Sequence, residues 1–202
     1  FRSMVSGSYQ VAKGKSNSAE ASFFRFTEEQ TTKEKFLAWD RPFNFRFNTN
    51  VLFDDESDPP FGISWLNQLN VFFQWNFQSG KRYTPYVYSG IDANTKRPIY
   101  REQLDKEYQS LGENWWWADM NLQRWFYIGE TKITFSVEIT NVFNNKNSTI
   151  INPLTRRAYE LGDATPFRDP TFPHPEDRGL PPFDPARYLE QRHIKGGLSV
   201  DL

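Results

Sequence analysis

The sequence predicts an all-β fold, a segment of an antiparallel transmembrane β-barrel with long extracellular loops. Apolar and polar residues alternate along six segments, and alternation with a period of two places the two sets on opposite faces of a strand. The segments are close to the length of about nine to eleven tilted residues that crosses a bilayer. Their connections alternate between long and short, which is typical of outer-membrane barrels.

The composition is compatible with this prediction and excludes several other classes. The 24 basic and 25 acidic residues nearly cancel, so no strong field indicates a nucleic-acid partner. The sequence has no cysteine, which excludes disulfide frameworks and thiolate metal sites. No apolar run approaches the roughly 20 residues of a transmembrane helix. The mean hydropathy of a barrel strand is polar because apolar and polar residues alternate along it.

Two alternating segments joined by a two-residue turn form the clearest hairpin. They are Ala118–Ile128 and Thr131–Val142, and Gly129 between them suits the first position of a type II′ turn. This turn fixes a register in which apolar residues oppose apolar residues and polar residues oppose polar ones. The expected partners are Leu122 with Val137, Met120 with Ile139, Asn121 with Glu138, and Gln123 with Ser136.

Four more segments show the same alternation. They are Arg2–Ala12, Pro42–Phe53, Leu69–Gln78 and Ile194–Leu202. The long connections are Lys13–Arg41, Ser79–Asn114 and Asn144–His193, and the short ones are Asp54–Gly62 and Gly129-Glu130. In outer-membrane barrels the short turns are periplasmic and the long loops extracellular. A soluble β-sheet also alternates, but loops as long as the fifth are uncommon there without structure of their own.

Aromatic and charged residues supply the candidate functional positions. The run Trp115–Trp117 is expected at the outer headgroup level, where amphipathic rings belong; a core cluster or a sugar-stacking platform is the alternative. Binding residues concentrate on loops. The candidates for ligand contact, with ordinary loop packing as the alternative, are Tyr83, Tyr86, Tyr88, Tyr100, Trp115 and Trp116. The candidates for a lumen-facing position, with solvated wall charges as the alternative, are Arg46, Asp119, Lys132 and Glu138.

No pattern of residues predicts catalysis, a cofactor or a metal. His174 and His193 lack the spacing of a zinc site. The acidic stretch Asp54–Asp58 lacks the central glycine and terminal glutamate of a calcium loop, so we expect a solvated turn. The sequence contains no nucleophile elbow, P-loop or dinucleotide-binding turn.

Several motifs resemble the C-terminal barrel portion of TonB-dependent outer-membrane receptors. The hairpin and the residues after it, Ala118–Asn147, resemble a strand pair of that family, with Asn141–Asn144 as the most specific stretch. Leu37–Asn44 and Tyr9–Lys15 resemble family motifs at the start and end of strands. The end of the chain is similar to the outer-membrane assembly signal, with leucine in place of the usual terminal aromatic residue. The matching residues are Lys195, Gly197, Val200 and Leu202.

The resemblance implies that residues 1–202 are the last six strands of a barrel with 22 strands. It implies nutrient uptake across the outer membrane of a Gram-negative-type bacterium and no enzymatic activity. We expect the plug domain, the TonB box and the earlier strands to lie outside this chain. The expected partners are outer-membrane lipid, the plug and missing strands, the TonB complex, and a surface lipoprotein over an irregular cap at residues 166–187. No nucleic-acid partner is expected.

Two other functions are compatible with the sequence. One is a structural or secretion-associated outer-membrane barrel, whose strands would have the same alternation. The other is a soluble β-rich carbohydrate-binding module, which would bury the face carrying Phe43, Phe45 and Phe47 in a protein core.

Overall fold

The computed structural model describes residues 1–15, 34–53, 62–160, 163 and 188–201. Within these ranges the chain is all-β, as predicted, with two 3-10 turns at Ser64–Leu66 and Leu104–Lys106. The strands are β1 (Arg2–Tyr9), β2 (Lys13–Gly14), β3 (Lys35–Phe36), β4 (Phe43–Phe53), β5 (Leu69–Gln78), β6 (Arg82–Tyr83), β7 (Tyr86–Ile91), β8 (Pro98–Glu102), β9 (Ser110–Leu111), β10 (Trp115–Ile128), β11 (Thr131–Thr140) and β12 (His193–Asp201).

The six long strands form one antiparallel sheet in the order β1-β4-β5-β10-β11-β12. Each pairs with the next long strand along the chain, so the sheet is a meander. It corresponds to the six segments predicted from the alternation. Within the described ranges the sheet is open, with β1 and β12 at its edges.

The register of the β10–β11 hairpin is the one that the sequence predicts. Gly129 has a φ of +63°, whereas Glu130 is not among the described residues with positive φ. A type II′ turn requires a positive φ at its first central position alone. The partners are Leu122 with Val137, Met120 with Ile139, Asn121 with Glu138, and Gln123 with Ser136.

The same alternation continues across the whole sheet, because the register of each strand pair places apolar residues opposite apolar ones and polar residues opposite polar ones, with few exceptions. One row of mutually opposed residues is apolar apart from a terminal glycine: Val51, Val71, Leu122, Val137 and Gly196. The adjacent row is polar apart from one phenylalanine: Asn50, Phe72, Asn121, Glu138 and Lys195. We call the side that carries the first row the apolar face and the opposite side the polar face.

No second layer covers the apolar face in the described part of the chain. Phe135, Ile194 and Leu198 on this face have exposed fractions of 49%, 62% and 63%. The buried hydrophobic residues of the described part are only Leu37, Ala118 and Tyr159. A soluble sheet buries at least one face against another layer. This sheet therefore does not enclose a core of that kind within the described residues.

The predicted ends of several strands differ from the observed ones. β10 begins at Trp115, three residues before the predicted start. β11 ends at Thr140 and not at Val142, because Asn141 has a φ of +50°. An asparagine in this left-handed conformation interrupts the extended backbone. β1 ends at Tyr9 rather than at Ala12.

The third connection, expected only as a long loop, contains strands of its own. β7 and β8 form a hairpin, and β6 pairs with β9. β2 and β3 form a similar short pair within the first connection. Across the ranges that the structure covers, we find no helix with the length and apolar character needed to cross a membrane.

The register can be tested with engineered cysteines, because the native sequence has none. Directly opposed side chains in an antiparallel pair have Cβ atoms about 4.5–5.5 Å apart, whereas diagonal ones are about 7–8 Å apart. We expect the double variant Gln123→Cys/Ser136→Cys to form an intrachain disulfide on mild oxidation. The diagonal control Gln123→Cys/Glu138→Cys should remain reduced. Peptide mapping by mass spectrometry measures both, and faster bridging in the control would contradict the register.

Candidate binding surface at the loop end of the sheet

All three long connections meet at one end of the sheet, which we call the loop end. The strand termini at this end are Tyr9, Phe43, Gln78, Trp115, Thr140 and His193. The described parts of the connections, residues 10–15, 34–42, 79–114, 141–160, 163 and 188–192, form a layer here that we call the loop platform. Loops held by a rigid scaffold are the usual location of binding residues.

A buried ion pair joins the first and third connections. The Asp40 side chain is fully buried, and its Oδ2 accepts a hydrogen bond of 2.6 Å from Arg82 Nε. Its other oxygen accepts one of 2.8 Å from the backbone N–H of Ala12. The guanidinium of Arg82 lies 3.6 Å above the ring centroid of Phe36. A buried carboxylate requires such partners, because removing one of them leaves an uncompensated charge. This pair therefore fixes the two connections against each other.

Two glycines allow the backbone of the third and fifth connections to pack closely. A Cβ atom on Gly80 would collide with the backbone carbonyl of Gly112. A Cβ atom on Gly112 would collide with the side chain of Ile151. Residues with side chains at these positions would force the platform apart.

Arg41 and Trp115 form a stacked pair at the base of the platform. The Arg41 Cζ atom lies 3.6 Å from the ring centroid of Trp115, and Nη1 donates to the carbonyl of Ser79 at 3.1 Å. Trp115 Nε1 donates to the carbonyl of Ser148 at 3.0 Å, which fixes the ring. Burial lowers the pKa of Arg41 from its ordinary value, although a guanidinium stays charged in proteins. The pair places a positive charge on an aromatic surface.

The Asn147 side chain binds β10 as a neighbouring strand would. Its Oδ1 accepts from the N–H of Trp116 at 3.1 Å, and its Nδ2 donates to the carbonyl of Trp116 at 2.9 Å. Asn145 Nδ2 donates to the same carbonyl at 2.9 Å. These contacts replace the backbone partners that β11 no longer supplies beyond Thr140. They hold the fifth connection on the sheet.

Asn141 completes this attachment. Its Nδ2 donates to the carbonyls of Asn145 at 2.9 Å and Glu190 at 3.0 Å, and its Oδ1 accepts from the N–H of Asn145 at 2.9 Å. The N–H of Asn141 donates to Asp119 Oδ1 at 2.9 Å. Asp119, a predicted lumen-facing residue, therefore also terminates β11.

A hydrogen-bonded group of polar side chains lies on the polar face near the loop end. Asn76 Oδ1 accepts from Arg46 Nε at 2.9 Å and from Gln74 Nε2 at 3.1 Å. Asn76 is only 2% exposed, and its Nδ2 has no hydrogen-bond partner within the described part. The Oδ1 of Asn48 is also buried without a partner there. Buried polar atoms without a partner are rare and require an explanation.

The four predicted lumen-facing residues share the polar face but do not form one cluster. Arg46 lies near the loop end, opposite Asn76. Lys132 lies at the opposite end of the sheet, with its Nζ 5.2 Å from the ring centroid of Trp125. Glu138 lies between them, and its cross-strand partners include Lys195. That this face lines a lumen stays a prediction.

The four candidate tyrosines lie in the third connection and occupy different environments. Tyr88 and Tyr100 oppose each other on the β7–β8 hairpin with ring centroids 6.2 Å apart, and Tyr88 is exposed. Burial raises the pKa of Tyr83 and of Tyr86, and the nearby Glu102 carboxylate raises that of Tyr86 further. Of these four rings only Tyr88 is exposed, and the other three are partly buried.

The tryptophan run does not lie on one face. The alternation places Trp115 and Trp117 on the polar face, opposite Gln78 and Asn76, and Trp116 on the apolar face, opposite Phe77. The Trp116 ring packs 5.7 Å from that of Phe143. Of the three, only Trp116 lies on the side that an aromatic belt requires. Trp115 and Trp116 therefore do not share a ligand site.

The residues that match the assembly signal lie on the edge strand β12. Lys195 opposes Glu138, Gly197 opposes Ser136, and Val200 opposes Ile133. A Cβ atom on Gly197 would lie 2.5 Å from Ser136 Oγ, so a side chain at this position would require the Ser136 hydroxyl to move. Leu202 lies outside the described residues.

Several other predicted features also lie outside the described residues. They are the acidic stretch 54–58, His174 and the cap at 166–187. His193 begins β12. Within the described part we find no group of three or more residues suited to hold a metal ion.

Sequence reasoning missed the residues that build the platform. Asp40 and Arg41 belong to the Leu37–Asn44 motif, whereas no pattern marks Arg82 or Asn147 for the platform, or Asn76 for the polar face. A buried Asp-Arg pair separated by 42 residues leaves no periodic signal. The asparagine-rich stretch after β11 was the available signal for the attachment of the fifth connection.

No protein-family model, curated protein or solved structure matches the chain.

The attachment of the fifth connection predicts a stability effect. Asn147→Ala removes both of the hydrogen bonds that its side chain makes to Trp116 and leaves the partly buried backbone N–H of Trp116 without this partner. We expect a loss of about 1–3 kcal/mol in the free energy of unfolding. Asn94→Ala, on the exposed tip of the β7–β8 hairpin, is the matched control and should be neutral. Denaturant titration measures both, and equal stability of the two variants would contradict the assigned role.

The raised pKa of Tyr159 should make the stability of the protein depend on pH in alkaline solution. Burial, with contributions from the Asp163 carboxylate and Tyr86, raises its pKa from 10.0 to about 12. Between these two values the folded state keeps a proton that the unfolded state loses, so stability falls as the pH rises through this window. Tyr159→Phe should remove that contribution and the last phase of phenolate absorbance. A wild-type titration that lacks this late phase would contradict the assignment.

Proposed function

We propose that the chain forms the C-terminal part of the wall of a TonB-dependent outer-membrane transporter. In this proposal the apolar face contacts lipid, the polar face lines the lumen, and the loop platform contributes to the extracellular ligand site. Further strands, a plug domain and coupling to the TonB complex complete the transporter, as the motif resemblance implies. The transported molecule is a nutrient.

The observation that carries the proposal is the separation of two faces across all six strands, with the apolar face uncovered by any other described residues. Large exposed apolar patches mark membrane or protein interaction sites. In hydrocarbon each backbone donor and acceptor needs a partner within the protein, and the meander supplies these partners for its four inner strands. The edges β1 and β12 require neighbours from the rest of the barrel, since closure takes at least about eight strands.

The loop platform supports a binding role for the loop end. Its connections are tied together by the Asp40–Arg82 pair and attached to β10 by Asn147. Preorganised loops bind with a smaller entropic cost than mobile ones. The platform also carries the exposed ring of Tyr88, which packs against Tyr100.

The soluble carbohydrate-binding alternative has less support. It requires the face of Phe43, Phe45 and Phe47 to lie in a core, whereas Phe43 is 53% exposed and the other two are only partly buried. A structural or secretion barrel would share the same wall. No described feature favours it over a transporter.

Membrane insertion can be tested with a pair of adjacent substitutions in the full-length polypeptide. Leu122 lies on the apolar face and Asn121 on the polar face, in the middle of the sheet. On a lipid-facing site near the midplane, lysine costs about 2–4 kcal/mol. We expect Leu122→Lys to reduce the amount of protein assembled in the outer membrane.

The control is Asn121→Lys, which should assemble at the wild-type level because its side chain faces water. Membrane fractionation followed by carbonate extraction measures both variants. Equal assembly of the two, or wild-type protein that remains in the aqueous fraction without detergent, would argue against the proposed function.

A further inference from the structure

We draw no further inference here: the strongest candidate, the apolar groove over Gly7 at the loop end of β1 and β4, lined by Tyr9, Phe43, Phe45 and Phe77, is an unpartnered part of the apolar face, and nothing in the described part of the chain shows what covers it.

Discussion

The shared register of the six long strands is the constraint on which the rest of the structure depends. Side chains alternate with a period of two, so a slip of one residue in any pairing would exchange the two faces of that strand. All five pairings keep the alternation in phase. The sheet therefore has one continuous apolar face and one continuous polar face. The shared register places Arg46, Asn76 and Trp115 on the same face of the sheet.

The loop end depends on the sheet in a second way. Because the long connections all leave from the same end, they lie close enough to pack against one another and to share hydrogen bonds. Asp40 and Arg82 supply a buried charge pair, and Asn147 supplies a side-chain amide in place of a strand. The result is an ordered platform whose position is fixed by β10. A binding surface made of loops thereby gains the rigidity of the strands beneath it.

The sequence was sufficient to predict the strands and one full register, and insufficient for the platform. The β10–β11 pairs follow from a two-residue turn at Gly129, which leaves no freedom of register. The alternation does not fix the strand ends. It continues to Val142, whereas the left-handed conformation of Asn141 ends β11 at Thr140. The Asp40–Arg82 pair and the β7–β8 hairpin could not be predicted. Contacts between distant loops have no period, and the tyrosines of that hairpin were expected in an ordinary loop.

The central claim is that the two faces of the sheet meet different solvents, lipid on one side and water on the other. Spin labels placed singly from Ile133 to Ile139 along β11 test it most directly, with accessibility to oxygen and to a polar nickel complex as the readouts. The account predicts opposite alternation of the two: oxygen reaches labels at Phe135 and Val137, and nickel reaches those at Ser136 and Glu138. Labels on both faces that are shielded from both reagents, or equally open to nickel, would contradict it.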